Sequence, residues 1–145
     1  MKRFAFRLES VLRWREAQTR LREADLQRQL GQRSAVLSRI AEIRKERARS
    51  HGEARGPIVS VAELKMLDEY VRTSLERERV EVSELHEVDL MCDSARSAYA
   101  DARRNERLLR MLREKALLQW NIDMLREVEA QAAEAYLASH HHRGT

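Results

Sequence analysis

The chain has 145 residues, 36% of them charged and only 5% aromatic, with 28 basic against 24 acidic side chains and a formal net charge of +4. The length suits one domain, and this balance of residue types belongs to long helices. It supplies apolar material for a seam and excludes a thick globular core, together with the enclosed pocket that such a core supports.

The start, Met1-Lys2-Arg3-Phe4-Ala5-Phe6, imitates the basic region of a secretion signal, but Arg7, Glu9, Arg13 and Arg15 interrupt any apolar continuation. No run approaches the ~18 apolar residues of a membrane span. Cys92 is the only cysteine, so no intrachain disulfide can form and a reducing compartment is the natural setting. The expectation is a cytoplasmic protein without direct membrane insertion.

Chain breakers cluster in one place. The single proline, Pro57, and two of the four glycines, Gly52 and Gly56, lie within Ser50–Pro57, and the flanking stretches are rich in Arg, Glu, Leu, Ala and Gln. Proline costs ~3 kcal/mol inside a helix and glycine ~1 kcal/mol relative to alanine, so a reversal belongs here. The predicted fold is all-α: an elongated antiparallel two-helix coiled-coil hairpin with a longer second helix. It forms a single domain over 1–145, with helix one at about 6–50, the bend at about 51–59, helix two at about 60–138 and a tail at 139–145.

Helix one opens with an apolar face at Leu8, Val11, Leu12, Trp14, Ala17, Leu21 and Ala24, in steps of three and four. The stripe drifts to Leu26, Leu30, Leu37, Ile40 and Ile43. Gly31 is a weak point whose missing side chain would allow closer contact with a paired helix. Residues 1–57 hold fifteen basic and seven acidic groups, and residues 58–100 five basic and ten acidic, which suits two helices lying side by side.

Helix two opens on a capping box, Ser60-Val61-Ala62-Glu63, with Val59 and Leu64 placed for a hydrophobic staple. Leu64, Leu67, Val71 and Leu75 follow, then Leu85, Val88, Cys92, Ala95, Tyr99 and Ala102 in the alternation of a coiled-coil seam. Near Glu106 the apolar stripe shifts to Leu108, Met111, Leu118, Ile122 and Leu125, which reads as a stutter. Reversal through residues 51–59 would set residue 50 opposite 61 and Leu8 near Arg103. Everything past about residue 104 would then overhang, with Leu108, Met111, Leu112, Leu118, Trp120, Ile122 and Leu125 exposed. Such a patch marks a partner or a self-association surface.

Other chemistries find little footing. His140-His141-His142 are adjacent near a chain end, which does not preorganise a metal site. His51 and His86 have no obvious second ligand. The acidic run of Glu76, Glu78, Glu81, Glu84 and Glu87 lies on a helix surface, which cannot shield carboxylates for general acid–base work. Glycine-rich phosphate loops are missing. No catalytic residue, cofactor or metal is expected, and the chain reads as no enzyme. Glu16 with Arg20, Asp68 with Arg72 and Glu106 with Arg110 have the i,i+4 order that supports exposed helices. Arg103, Arg104, Arg107, Arg110 and Arg113 are less balanced and could meet carboxylates of a partner. Interleaved acids and the lack of a groove-reading module speak against nucleic acid.

The opening Phe4-Ala5-Phe6-Arg7-Leu8-Glu9-Ser10-Val11-Leu12-Arg13-Trp14-Arg15-Glu16 resembles the start of the FliJ family of flagellar type III export proteins. Glu63–Val71 looks like that family's start of helix two, and Arg103–Lys115 like its downstream charged block. The resemblance implies a non-catalytic coiled-coil stalk that binds the hexameric flagellar export ATPase, links it to the cytoplasmic domain of the export gate and escorts substrate chaperones. It would be a cytoplasmic protein peripherally associated with the membrane-embedded apparatus. Carried over by position, the ATPase-binding residues are Leu8, Val11, Leu12 and Trp14 with Leu118, Trp120, Ile122 and Leu125. The export-gate-binding residues are Tyr70 and Leu75. Helix one departs from the family at Ile43-Arg44-Lys45-Glu46-Arg47-Ala48, where relatives often carry tyrosines. The alternative is a homodimeric coiled-coil tether unrelated to export, its seam in the last third of helix two.

Overall fold

The structure is a computed structural model, and it describes residues 3–53, 56 and 60–141, the last of these by its backbone only. Two α-helices form an antiparallel, coiled-coil-like hairpin: α1, Glu9–Glu53, and the longer α2, Val61–His141. No strand occurs among the described residues. α1 begins later than expected, because residues 3–6 are not helical and the Glu9 amide turns back to the Phe6 carbonyl at 3.1 Å. It also runs three residues beyond Ser50, through Gly52. α2 begins as the capping box requires. The Ser60 amide donates to Glu63 Oε2 at 2.8 Å, and the Glu63 amide donates to Ser60 Oγ at 3.2 Å. The helix continues past residue 138 to His141. Val59 of the expected staple and Pro57 of the bend lie outside the described residues.

Two compact units divide the chain, Arg20–Ala100 and Met1–Thr19 with Asp101–Thr145. In the first, the core is Val36, Ile40, Val88 and Cys92, with Leu30 and Leu85 packed against it. Burial of each such apolar side chain stabilises by roughly 1.5–3 kcal/mol. Covered positions of α2 in this unit include 67, 71, 74, 78, 81, 85, 88, 92, 95 and 99, which step by four and three, with 89 and 98 beside them. The expected run from Leu85 to Tyr99 is therefore the seam. Leu75 is not part of it: the phase counted back from Cys92 reaches Ser74, which is buried, and leaves Leu75 exposed.

Ion pairs fix the register of this unit. Arg33 Nε lies 2.6 Å from Asp89, Arg39 bridges Glu81 and Glu84 at 2.9 Å each, and Glu78 receives Arg44 at 2.6 Å and Arg47 at 2.7 Å. The numbers of facing residues add to 120–125 where immediate reversal predicts about 111. The slip is about three helical turns. Its cause is the fit of Val36 and Ile40 to Val88 and Cys92 and of the arginines to the acidic stretch. Loop closure costs too little per added residue to compete with that fit. The opening turns of α2, Val61–Met66, are accordingly exposed.

In the other unit the same register shortens the expected overhang, which begins beyond about residue 124 and not 104. Arg110 reaches Glu16 at 3.0 Å, Arg113 Nε reaches Glu9 at 3.0 Å, and the rings of Phe4 and Trp120 meet edge-on at 6.0 Å. Arg110, Arg113 and Trp120 thus have partners within the chain, supplied by residues 4–16. Nor does the seam change phase near Glu106. The less exposed positions 102, 106, 109, 113, 116 and 120 keep the alternation of four and three, with 117 and 124 also partly covered. Glu106 and Arg113 occupy seam positions because their charges are paired there: Glu106 with Arg110 at 2.8 Å, and Arg113 with Glu9. From Leu125 through His140 every residue is exposed.

Candidate protein-docking surface

The unit of residues 1–19 and 101–145 presents two different sides. Glu9, Leu12, Glu16, Arg110, Arg113 and Glu114 line one groove between the helices, closed over by the Glu16–Arg110 and Glu9–Arg113 bridges. Stepping about 100° per residue from those positions turns Val11 of α1 and Leu108 and Leu112 of α2 away from that groove, and Leu8 lies just before α1. All four are exposed, as are Met111, Leu118, Ile122 and Leu125. The groove is therefore charged and internally paired, and large apolar side chains are exposed outside it.

The eight positions carried over for ATPase binding fall into three groups. Leu12 is only 4% exposed and belongs to the intramolecular seam, so it cannot meet a partner directly. Trp120 is half-buried against Phe4, whose ring also lies 5.9 Å from the Arg113 guanidinium. Leu8 just before α1, Val11 and Trp14 on α1 and Leu118, Ile122 and Leu125 on α2 are exposed, with Leu118 at 63% and Leu125 at 64%. Trp14 is 54% exposed and carries the Arg15 guanidinium 4.8 Å above its ring. Of helix one's expected opening face, Leu12 turns inward together with Thr19, whose hydroxyl donates to the Arg15 carbonyl at 3.0 Å. Trp14, Leu21 and Ala24 turn outward.

In the Arg20–Ala100 unit, Tyr70 and Leu75 are both exposed. Within reach of this unit's electrostatics, Glu78 is the carboxylate most perturbed by its surroundings. Its hydrogen bond from Arg44, and then the close approach of Arg47, hold it below the usual carboxylate range against the opposing effect of desolvation. Arg33 is pushed above the ordinary guanidinium value by its hydrogen bond to Asp89, and Arg39 by its bonds to Glu81 and Glu84. These pairs tie the two helices together, and Arg39 and Glu84 also line a shallow groove with Gln32, Val36, Glu87, Val88 and Met91.

Asp68–Arg72 and Glu106–Arg110 form as their spacing predicts, at 3.0 and 2.8 Å. Glu16 instead bonds across to Arg110, because the slipped register brings that guanidinium within 3.0 Å. Arg113 is likewise taken up by Glu9, which removes two members of the arginine cluster from any partner. His140 packs edge-on against Tyr136 at 5.3 Å. Among the described residues no group of three metal-ligating side chains assembles, and no helix is long and apolar enough to cross a membrane.

Sequence reasoning missed Phe4 and Glu9 as structural residues. Both stand in the opening pattern itself, and each finds its partner only at the true register. No protein-family model, curated protein or solved structure matches the chain.

Proposed function

We propose that the chain is a flagellar type III export component, a non-catalytic coiled-coil adaptor that binds the hexameric export ATPase. In this reading it links the ring to the export gate and escorts substrate chaperones. The observation that carries it is a set of exposed apolar side chains in the unit of residues 1–19 and 101–145, Leu8, Val11 and Trp14 near its start and Leu118, Ile122 and Leu125 on α2. Large exposed apolar side chains on a charged helical protein mark candidate docking positions. The resemblance of Phe4–Glu16 to the FliJ family supplies the identity of the partner. Leu12 and Trp120 act indirectly in this reading, by holding the two helices together beneath the surface. Tyr70 and Leu75, exposed in the other unit, are the gate-facing candidates.

The experiment is binding to a cognate flagellar export ATPase, with stimulation of its hydrolysis as a second readout. Trp14→Ala combined with Leu125→Ala should weaken binding roughly tenfold or more, since two exposed apolar anchors are removed without touching the core. Unchanged binding, or no binding by the parent chain, rejects this reading.

A further inference from the structure

We infer that the unit of residues 1–19 and 101–145 is an ionic clasp, which opens and closes while the Arg20–Ala100 unit stays folded. The two units differ in what holds their helices together. In Arg20–Ala100, Val36, Ile40, Ile43, Val88, Cys92 and Ala95 are all buried. In the other unit Leu12 is the one buried apolar side chain among the described residues. Its second buried residue, Thr19, donates its hydroxyl to the Arg15 carbonyl of its own helix and so donates nothing to α2. The seam of α2 here, Ala102, Glu106, Leu109, Arg113, Ala116 and Trp120, is only partly covered, and Glu106 and Arg113 bring charge into it.

Charge pairs stand in this unit where the other has a core. Across the helices Arg113 reaches Glu9 and Arg110 reaches Glu16, each at 3.0 Å, and Phe4 meets Trp120 edge-on. The four charged side chains are between 28% and 56% exposed, so water and salt screen both pairs. Arg110 also holds Glu106 of its own helix at 2.8 Å, and keeps that bond when Glu16 leaves. Opening therefore strands no buried charge, which is what makes the separation of an ion pair costly. The covered face of α1 is interrupted beside this unit as well: residues 20–24 are all exposed, a full turn. Parted from α2, residues 9–19 lose the packing that supplies most of a helix's stability in a protein, and their amides become open to exchange. The open form uncovers Leu12, Leu109, Ala116 and Trp120 together, apolar surface that the closed clasp covers.

The test is amide hydrogen exchange of the full chain, and it does not depend on the export reading. Relative to their unstructured rates, residues 13–19 should exchange at least about a hundredfold faster than residues 36–43, and should share one degree of protection. Protection that climbs steadily with distance from Glu9 is the fraying of a helix end and would overturn the inference. Glu9→Gln with Glu16→Gln removes both cross-helix ion pairs and should speed exchange at 13–19 about threefold or more. No change there would show that charge does not hold the clasp closed. Ile40→Val trims the core of the other unit and should speed exchange at 36–43 roughly threefold to tenfold, leaving 13–19 as they were. Acceleration of both segments by the same factor would mean that the chain opens only as one body, and the clasp would be lost as a separate device.

Discussion

Phe4 sets the edge of its ring against Trp120 with centroids 6.0 Å apart and planes at 61°, joining the non-helical start of the chain to a position 116 residues away. An edge-to-face pair of this kind contributes about 0.5–1.5 kcal/mol beyond the area it buries. Phe4→Ala should therefore lower stability by about 1 kcal/mol and shift Trp120 emission to the red as its indole gains water. The emission is read in a Trp14→Phe background, where Trp120 is the remaining tryptophan. An unshifted spectrum would mean that residues 3–6 do not rest on α2. Trp120→Ala is for the same reason a poor probe of partner binding, since it disturbs the fold and the surface at once.

Glu78 makes the stability of the Arg20–Ala100 unit depend on pH. Arg44, first, and Arg47 lower its pKa in the folded chain relative to the ordinary value of about 4.3. A lowered folded pKa stabilises the native state fully above the unfolded value and loses that contribution as pH falls through the folded one. Glu78→Gln should then depress the melting temperature at neutral pH, and the gap from the parent chain should close progressively below about pH 4.3. Thermal melts of both proteins across that range check it. A gap that persists in acid would show that packing, not charge, is what Glu78 provides.

The hairpin itself was legible because its signals are local. One cluster of breakers, one capping box and two helix-forming stretches leave few alternatives, and Ser60 with Glu63 form both expected bonds. Register was not legible, because it rests on which side chains meet across the pair. Acidic and basic residues are so dense that many alignments match charge equally well on paper. What selects one is the small core of Val36, Ile40, Val88 and Cys92, and nothing in their spacing says that Val36 belongs near Val88. The same blind spot moved Leu12 and Trp120 from surface to interior and hid the partners of Glu9 and Phe4. In α2, two apolar stripes share one helix, and periodicity alone favoured the more apolar of them over the true seam through Glu106 and Arg113.

The small size of that core concentrates its energetic weight. Ile40→Ala removes a buried aliphatic group from a four-residue cluster and should cost about 2–4 kcal/mol in urea unfolding. Cys92 in the same cluster is 1% exposed, so its thiol should resist alkylation in the native chain and react on unfolding. Ile40→Ala should therefore also accelerate labelling of Cys92 under native conditions. Rapid modification of Cys92 in the parent chain would mean that the helices separate there far more often than this packing permits.

Gly31 offers the opposite sign. It was expected to let the helices approach closely, yet it is exposed, and a methyl group built at its Cα would meet no atom of the facing helix within 4 Å. Glycine in such a place only adds conformational freedom to the unfolded chain, which costs roughly 0.8–1 kcal/mol relative to alanine. Gly31→Ala should raise stability by about that amount, with no change in the urea dependence of unfolding, since no buried surface is altered. A destabilised variant would show that backbone, not open solvent, lies over position 31, and would call for a closer approach of the two helices there than the present packing contains.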